Sequence, residues 1–394
     1  MYHNMKIFII ISSLIEILYA YKLSNQYIRQ SLRPQDFGAI GNGTHDDTAA
    51  MLATLNACIK LNGCDLIIDS NYTFLTGPLT LPTNIDLELN GRILALPMHE
   101  WLSKGYNSAA LLMGENIESI NVHGRGVIEG NGEAWWNVTH DDLHYRPNLF
   151  TMSSCTNFTV QQVTFLNSPN HNLQFAGCNQ VKIHDINILA AASSPNTDGI
   201  NFAGGSQISF TDSYVSNGDD CVSIVTYHDG TRVYGGNVHV QNITCVNSHG
   251  MSIGSMTEGI IQNVTFDNIT MINGENGARI KTYPNHTGEI SNITFSNFKL
   301  YNPNMGIHID GKYCPTSQRP YPCPEGDLAI VIHNITFENI TGIAETAGIF
   351  NCSHISPCSS IELKNVQLKA SHGFWCSNVT GTSQGNVSPS NCIA

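Results

Sequence analysis

The 394-residue sequence predicts an all-β fold, a right-handed parallel β-helix with an N-terminal capping helix. Short apolar runs that mostly alternate with polar residues recur every ~23 to 30 residues, a period typical of solenoids. No helical pattern separates these runs, so a βαβ sheet is disfavoured. Tight two-residue turns, which a propeller or sandwich would need, are not evident. The hydrophobic fraction of 41% is sufficient for a sizeable core.

The predicted elements follow one another simply along the chain. The segment from Thr48 to Leu61 has the spacing of an amphipathic helix, with Asp47 or Thr48 as its cap, and we expect it to close one end of the core. Strands begin near Leu66, and no linker composition marks a second domain. The chain from 21 to 394 is therefore predicted to be a single β-helix domain. The clearest predicted strands lie at 85–89, 117–122, 158–165, 181–188, 208–215, 238–246, 261–272, 290–300, 330–340 and 361–368.

Residues 1–20 have the features of a secretory signal peptide. Lys6 is followed by an apolar run from Ile7 to Leu18 and then by Ala20. The run is shorter than the ~20 apolar residues of a membrane-spanning helix, so we expect export and no membrane association after the signal is removed. Glu16 interrupts the run, and the cleavage position stays open.

The cysteines and glycosylation sequons agree with export. The chain has 12 cysteines, an even number, although their spacing does not fix the connectivity. Asn-x-Ser/Thr sequons occur about fourteen times, so we expect N-glycosylation, but many lie in strands where Asn and Thr are also structural. The candidate disulfides are Cys58–Cys64, Cys155–Cys178, Cys221–Cys245, Cys314–Cys323, Cys352–Cys358 and Cys376–Cys392.

Acids, a histidine and two bases recur at one phase of the repeat. In a β-helix, residues at the same phase of successive coils form a column on one face, ~15 Å long over four coils. Arg279 and Lys281 are two residues apart and point to the same side of a strand, and Gly218 could supply the bend that lets both neighbouring acids reach the groove. The predicted site consists of Asp198, Asp219, Asp220, His249, Arg279 and Lys281.

The charge balance restricts the partner of this site. The net charge of −13 disfavours nucleic acid as a partner. Paired carboxyl groups fit acid–base cleavage of a sugar chain, in which one carboxyl protonates the leaving oxygen and another activates water. Arg279 and Lys281 could bind a substrate carboxylate, so an anionic sugar polymer is the expected substrate. Taken alone, an Asp-Asp pair is more often a solvated turn or part of a calcium site than a catalytic pair.

The motifs Asn196-Thr197-Asp198, Gly218-Asp219-Asp220, His249-Gly250 and Arg279-Ile280-Lys281 resemble, in order and spacing, those of the polygalacturonase family of pectin-degrading glycoside hydrolases. The resemblance covers most of the mature chain, from Phe37-Gly38-Ala39 to the C-terminal cysteines. It implies inverting hydrolysis of α-1,4-galacturonosyl bonds with no metal or other cofactor.

The resemblance also implies a role for each residue. Asp219 would be the general acid, Asp198 and Asp220 would share the water as general base, and His249 would orient the acid. The substrate-binding residues would be Asn196, Arg279, Lys281 and Tyr313.

Two features depart from the common pattern of that family. Ser248 replaces a glycine before His249, and the segment from Tyr227 to Asn237 is long. Similar features occur in exo-acting relatives, which gives a slight preference for exo action. A rhamnogalacturonan or xylogalacturonan hydrolase, a calcium-dependent pectate lyase and an inactive pectin-binding homologue remain alternatives. We expect a monomer.

Overall fold

The computed structural model describes residues 29–138, 146–226, 233–315 and 321–393. The chain winds as a right-handed parallel β-helix, and every strand pairing in these residues is parallel, which confirms the predicted fold class. The strands are β1 Ser31–Leu32, β2 Asn42–Asp46, β3 Cys64–Ile68, β4 Thr73–Thr76, β5 Leu79–Thr80, β6 Ile85–Leu89, β7 Arg92–Ala95, β8 Ala110–Glu115, β9 Glu118–His123, β10 Val127–Glu129, β11 Asn148–Ser153, β12 Thr156–Gln161, β13 Thr164–Leu166, β14 Leu173–His184, β15 Asn187–Leu189, β16 Ile200–Ser216, β17 Val222–Val225, β18 Tyr234–Val246, β19 Met251–Ile272, β20 Asn276–Tyr301, β21 Met305–Asp310, β22 Val331–Glu338, β23 Thr341–Asn351, β24 Cys358–Lys364, β25 Gln367–Ser377 and β26 Val379–Gln384.

Each central coil contributes to three sheets, and the longest strands continue around the corners between them. We call the sheet that carries the site residues the first sheet, and it is followed in each coil by the second and third sheets. The first sheet consists of residues 110–115, 148–153, 173–176, 200–203, 222–225, 251–253, 276–281, 305–310, 346–351 and 372–377.

The core is a stack of like residues in register. In the second sheet Val238 pairs with Val264, which pairs with Ile293, and all three are buried. Phe266 and Phe295 stack with ring centroids 4.9 Å apart, close to the spacing of neighbouring strands. Because apolar side chains alternate with polar ones, each coil adds one layer to a continuous apolar interior.

Asparagines turn many of the corners between sheets. Asn242, Asn268 and Asn339 have positive φ, which Asn tolerates better than most residues. The amide of Asn268 donates to Oδ1 of Asn242 at 2.7 Å, so the side chains form a ladder along the helix axis. Sequon asparagines in these strands therefore have a structural role, and glycosylation itself stays a prediction.

The predicted helix is confirmed as α1, Thr48–Lys60, which buries Met51 and Leu55 against the core. Asp47 is the N-cap residue, as predicted, but its side chain makes no capping hydrogen bond. Its carboxylate accepts hydrogen bonds from the backbone N–H groups of Ile40 and Gly41 at 2.8 and 2.9 Å, and so anchors the preceding loop. Further helical turns, not predicted, are a 3₁₀ turn at Pro34–Phe37, α2 at Met98–Ser103 and α3 at Glu133–Trp136.

All six candidate disulfides are present. Cys221–Cys245 joins the turn after Asp220 to the strand before His249, and so links two coils that carry site residues. The predicted signal peptide, residues 1–20, lies outside the described residues. No helix within the described ranges is long and apolar enough to cross a membrane.

Candidate active site

Successive turns that lead into the first sheet bring the predicted acids together. Asp198 lies in the turn before β16. Asp219 and Asp220 lie in the turn before β17, and His249 lies in the turn before β19. The turns are joined by backbone hydrogen bonds, from His249 to the Asp219 carbonyl at 2.7 Å and from Gly199 to the Asp220 carbonyl at 2.9 Å.

Buried asparagine amides from neighbouring positions hold these turns. The amide of Asn172 donates to the carbonyl of Asp198 at 3.1 Å, and that of Asn217 donates to the carbonyl of Asp220 at 2.8 Å. The amide of Asn276 donates to the carbonyl of His249 at 3.0 Å. These contacts fix the backbone from which the catalytic candidates project.

The chain bends at Gly218, as predicted, and both neighbouring acids line the groove; close packing of the coils also requires a glycine here. A Cβ at this position would lie 2.2 Å from the carbonyl oxygen of Ser194 in the preceding coil. A side chain here would therefore force apart the two turns that carry Asp198 and Asp219.

Asp219 pairs with His249. Oδ1 of Asp219 lies 3.0 Å from Nδ1 of His249, whose Nε2 lies 3.7 Å from Glu275. Burial favours the protonated carboxyl, but the hydrogen bond and charge of His249, assisted by Lys281, lower the pKa of Asp219 to about 2. Burial also disfavours the imidazolium, but Asp219 and then Glu275 outweigh that effect and raise the pKa of His249.

Asp220 is held by a different set of partners. Its Oδ2 lies 2.8 Å from Nζ of Lys281, and Ser252 donates to its Oδ1 at 2.7 Å. Nη1 of Arg279 is 3.9 Å from the same Oδ1. Asp220, Arg279 and Lys281 are all buried, so this pairing is shielded from solvent.

Asp198 has a partner that the sequence pattern did not reveal. Nδ1 of His171, in the preceding coil, lies 3.0 Å from Oδ1 of Asp198, although outside good hydrogen-bond alignment. Burial raises the pKa of Asp198; the charge of His171 opposes that shift, and the charges of Asp219 and Asp220 add to it. For His171, burial works against the charged form, but Asp198 raises the pKa overall.

The two basic residues lie against the ring of Tyr313. The Arg279 guanidinium and the Lys281 ammonium lie 5.4 and 5.5 Å from the centroid of Tyr313, which is 5.6 Å from the ring of Tyr283. Nε of Arg279 is buried without a hydrogen-bond partner. Arg279 and Lys281 both line the cavity, so the cationic side of the groove can contact an anionic ligand.

Asn196 lies at the opposite edge of the groove. Its backbone has positive φ, and its Oδ1 accepts a hydrogen bond from Nη2 of Arg146 at 2.7 Å. Arg146 was not predicted. It lies two coils earlier at the same repeat phase, four residues before Phe150 as Asn196 is four residues before Ile200.

All eight predicted residues line one open cavity of about 600 Å³. Sequence reasoning missed His171, Ser252, Glu275 and Tyr283, which line the cavity or contact its acids. Tyr283 is two residues after Lys281, and the alternation of the strand could have indicated it. Ligand atoms of Asp219, Asp220 and His249 lie within 4.8 Å of one another and could hold a metal ion.

A family model described as "Glycosyl hydrolases family 28" matches residues 64–390. The chain belongs to glycosyl hydrolase family 28. It is therefore a glycoside hydrolase.

Similar family 28 proteins come from plants. The chain is 33% identical to the polygalacturonase of Persea americana over 364 residues, which cover 87% of this chain and 76% of that protein. It is 31% identical to polygalacturonase-2 of Solanum lycopersicum over 370 residues, which cover 90% and 79% of the two chains.

Solved structures share the fold at lower identity. The polygalacturonase of Erwinia carotovora superposes with a TM-score of 0.76 at 24% identity, covering 90% of this chain and 96% of that one. The endo-xylogalacturonan hydrolase of Aspergillus tubingensis has the same TM-score at 22% identity, covering 92% and 99%. An exopolygalacturonase of Thermotoga maritima gives 0.68 at 20% identity, covering 89% and 91%. Endo- and exo-acting enzymes thus share this family 28 fold.

Proposed function

We propose that this family 28 enzyme is a secreted polygalacturonase that hydrolyses α-1,4-galacturonosyl bonds with inversion. The observation that carries the proposal is the arrangement of three aspartates beside a buried Arg–Lys pair in one groove. The acids supply acid–base chemistry, and the cations supply recognition of a charged sugar.

The substrate class follows from the charges around the groove. The protein carries a net charge of −13, yet Arg279 and Lys281 sit together beneath Tyr313. A uronate carboxylate can contact the guanidinium of Arg279 and the ammonium of Lys281, which both line the groove, while the Tyr313 ring lies against the sugar. Asn196 would position the ring on the other side.

In the proposed reaction, one proton enters the leaving group and another leaves the attacking water. Asp219 donates a proton to the glycosidic oxygen as its bond to the anomeric carbon breaks. Asp198 and Asp220 share a water, take one proton from it, and the resulting hydroxide bonds to the anomeric carbon from the opposite face. The net reaction consumes one water per bond.

Without substrate in the groove, the proton to be donated lies on His249 rather than on Asp219. With a pKa of about 2, Asp219 is ionised above that pH, and the proton resides on Nδ1 of His249, 3.0 Å away. We therefore propose that Asp219 and His249 act as one acid unit. The proton passes from the imidazole to Asp219 as the leaving oxygen displaces water from the carboxylate.

Neighbouring specificities and other classes remain as alternatives. A rhamnogalacturonan or xylogalacturonan hydrolase would use the same scaffold with a different sugar. A pectate lyase would require calcium and form an unsaturated product, and an inactive homologue would bind oligogalacturonate without turnover.

Several further features belong to the proposal. We propose that residues 1–20 are a signal peptide that is removed and that residues 21–394 form a single catalytic domain. We also propose that the mature protein is monomeric and N-glycosylated. Ser248 and the long 227–237 segment support exo action slightly over endo action. Product sizing tests the mode, since monomer from the first minutes indicates exo attack and a spread of oligomers indicates endo attack.

The deciding experiment is incubation of the purified protein with de-esterified polygalacturonate at mildly acidic pH. We expect reducing ends to appear without ultraviolet-absorbing unsaturated products. Rhamnogalacturonan and xylogalacturonan in parallel reactions test the sister specificities. Binding without release of reducing ends would refute the hydrolase proposal.

A further inference from the structure

A column of outward side chains continues along the first sheet beyond the candidate active site. In the parallel register Arg279 pairs with His308, His308 with Ile349, and Ile349 with Trp375. Phe350, next to Ile349, is buried, so the alternation of the strand directs the column to the outer surface. The outer face of the first sheet therefore continues three coils past Arg279.

The chemical character of the outer face changes along this column. Arg279 is cationic, whereas burial and the charges of Arg279 and Lys281 lower the pKa of His308 to about 4, so that its imidazole is neutral above that pH. Ile349 and then the indole of Trp375 follow. Past Arg279, the surface can bind a sugar ring through its apolar face but has no charge in the column for its carboxylate.

Trp375 is an exposed aromatic side chain on a strand that its neighbouring residues hold in place. It is 53% exposed, whereas Trp101 and Trp135 are buried. Its neighbour Phe374 stacks on Phe350 with ring centroids 6.1 Å apart, and the adjacent Cys376 is anchored by a disulfide to Cys392. Trp375 therefore presents a large apolar ring at the surface on a fixed strand, in line with the column that begins at Arg279.

We propose, resting on the function proposed above, that Trp375 forms a distal subsite that stacks against a sugar ring of the bound polysaccharide. The strand of Trp375 lies five strand spacings from β17, which follows the Asp219 turn, so the subsite is ~24 Å from the bond-cleaving groups. A chain bound along the first sheet reaches it only if it is several sugars long. Short oligomers bound at Asp219 end before it.

The test compares substrate lengths in variants of the full chain. For Trp375→Ala we expect KM for polygalacturonate to rise about tenfold, while kcat/KM for trigalacturonate changes by less than about twofold. Trp375→Phe keeps a ring and should restore most of the affinity for the polymer. Tyr301→Ala is the matched control because Tyr301 is similarly exposed, at 51%, but lies on the third sheet, and it should leave both substrates unaffected.

The outcomes separate this subsite from the proposed function. A length-dependent loss in Trp375→Ala, absent in Tyr301→Ala, supports the subsite. An equal change for polymer and trimer, or no change for either, overturns it while the hydrolase activity stands. If the unaltered protein cleaves neither substrate, it is the proposed function that fails.

Discussion

Nδ1 of His249 lies 3.0 Å from Oδ1 of Asp219, and the backbone N–H of His249 donates to the Asp219 carbonyl at 2.7 Å. The pair is bound at both side chain and backbone, and it is mostly shielded from solvent. Its pKa shifts therefore couple folding stability to pH.

The first prediction is a two-sided pH dependence of stability. The raised pKa of His249 gives stabilisation that is complete below its ordinary value of 6.5 and is lost as pH rises through the folded pKa. The lowered pKa of Asp219 gives stabilisation present above 3.8 and lost as pH falls toward about 2. Thermal unfolding should show highest stability between these limits.

In that pH range, His249→Asn should lower the free energy of unfolding by on the order of 2 kcal/mol. His184→Asn, which removes an exposed His–Asp pair, should leave the profile unchanged.

The second prediction concerns the general acid. Asp219→Asn keeps the shape of the side chain but cannot donate an acidic proton, so kcat should fall about 10²- to 10⁴-fold with little change in KM. Circular dichroism should show an unaltered fold. Asp327→Asn, an exposed acid outside the groove, serves as the control. Substantial activity in Asp219→Asn would assign the acid to another carboxyl, and Asp198, with its raised pKa, would be the next to test.

The third prediction compares two ion pairs of equal length. Lys281 and Asp220 are 2.8 Å apart with side chains 8% and 3% exposed, and Lys364 and Glu362 are 2.8 Å apart with 31% and 24% exposed. Lys281→Met leaves a buried carboxylate without its cation and should lower the free energy of unfolding by about 3–5 kcal/mol. Lys364→Met should cost less than about 1 kcal/mol. Chemical denaturation measures both, and similar losses in the two variants would contradict the buried character of the first pair.

The fourth prediction tests His171 as a positioning residue for Asp198. His171 faces Asp198, Asp219 and Arg146, and its positive charge opposes the rise in the Asp198 pKa. If Asp198 acts as a base it must be ionised, so His171→Gln should move the acidic limb of kcat/KM to higher pH. His184→Gln removes an exposed His–Asp contact and should not. A uniform loss of rate at all pH values, without a shift of that limb, would reduce His171 to a packing role.

The sequence predicted the columns of the site because strand alternation and repeat phase convert directly into position. Asp198, Asp219 and His249 each precede a strand of the first sheet, and equal phase places them in adjacent turns. The sequence analysis missed His171, which precedes β14, because that coil has no acid at the phase of Asp198, Asp219 and His249. Its role depends on a contact between coils rather than on a motif.

Local rules failed where tertiary contacts outweighed them. Asp47 has the position and chemistry of a helix cap, but two loop N–H groups compete successfully for its carboxylate. Gly218 forms the predicted bend, but the sequence did not reveal that a Cβ there would lie 2.2 Å from the Ser194 carbonyl oxygen, a constraint that only the stacked coils create. Both residues were correctly singled out, and the neighbouring coil determined what each does.

The last prediction is that chelators do not reduce activity. Asp219, Asp220 and His249 could hold a cation, but Oδ1 of Asp219, Nδ1 of His249 and both oxygens of Asp220 already have partners. Oδ1 of Asp219 contacts His249 and accepts from the Asp220 N–H at 2.8 Å, while Lys281 and Ser252 contact the two oxygens of Asp220. A divalent ion would have to compete with the Lys281 ammonium for a carboxylate that is already neutralised.

We therefore expect the rate on polygalacturonate to be the same with and without millimolar EDTA, with a calcium-dependent pectate lyase as the control that loses activity in the same buffer. A loss that added calcium reverses, accompanied by ultraviolet-absorbing product, would make these three residues metal ligands and replace hydrolysis with elimination.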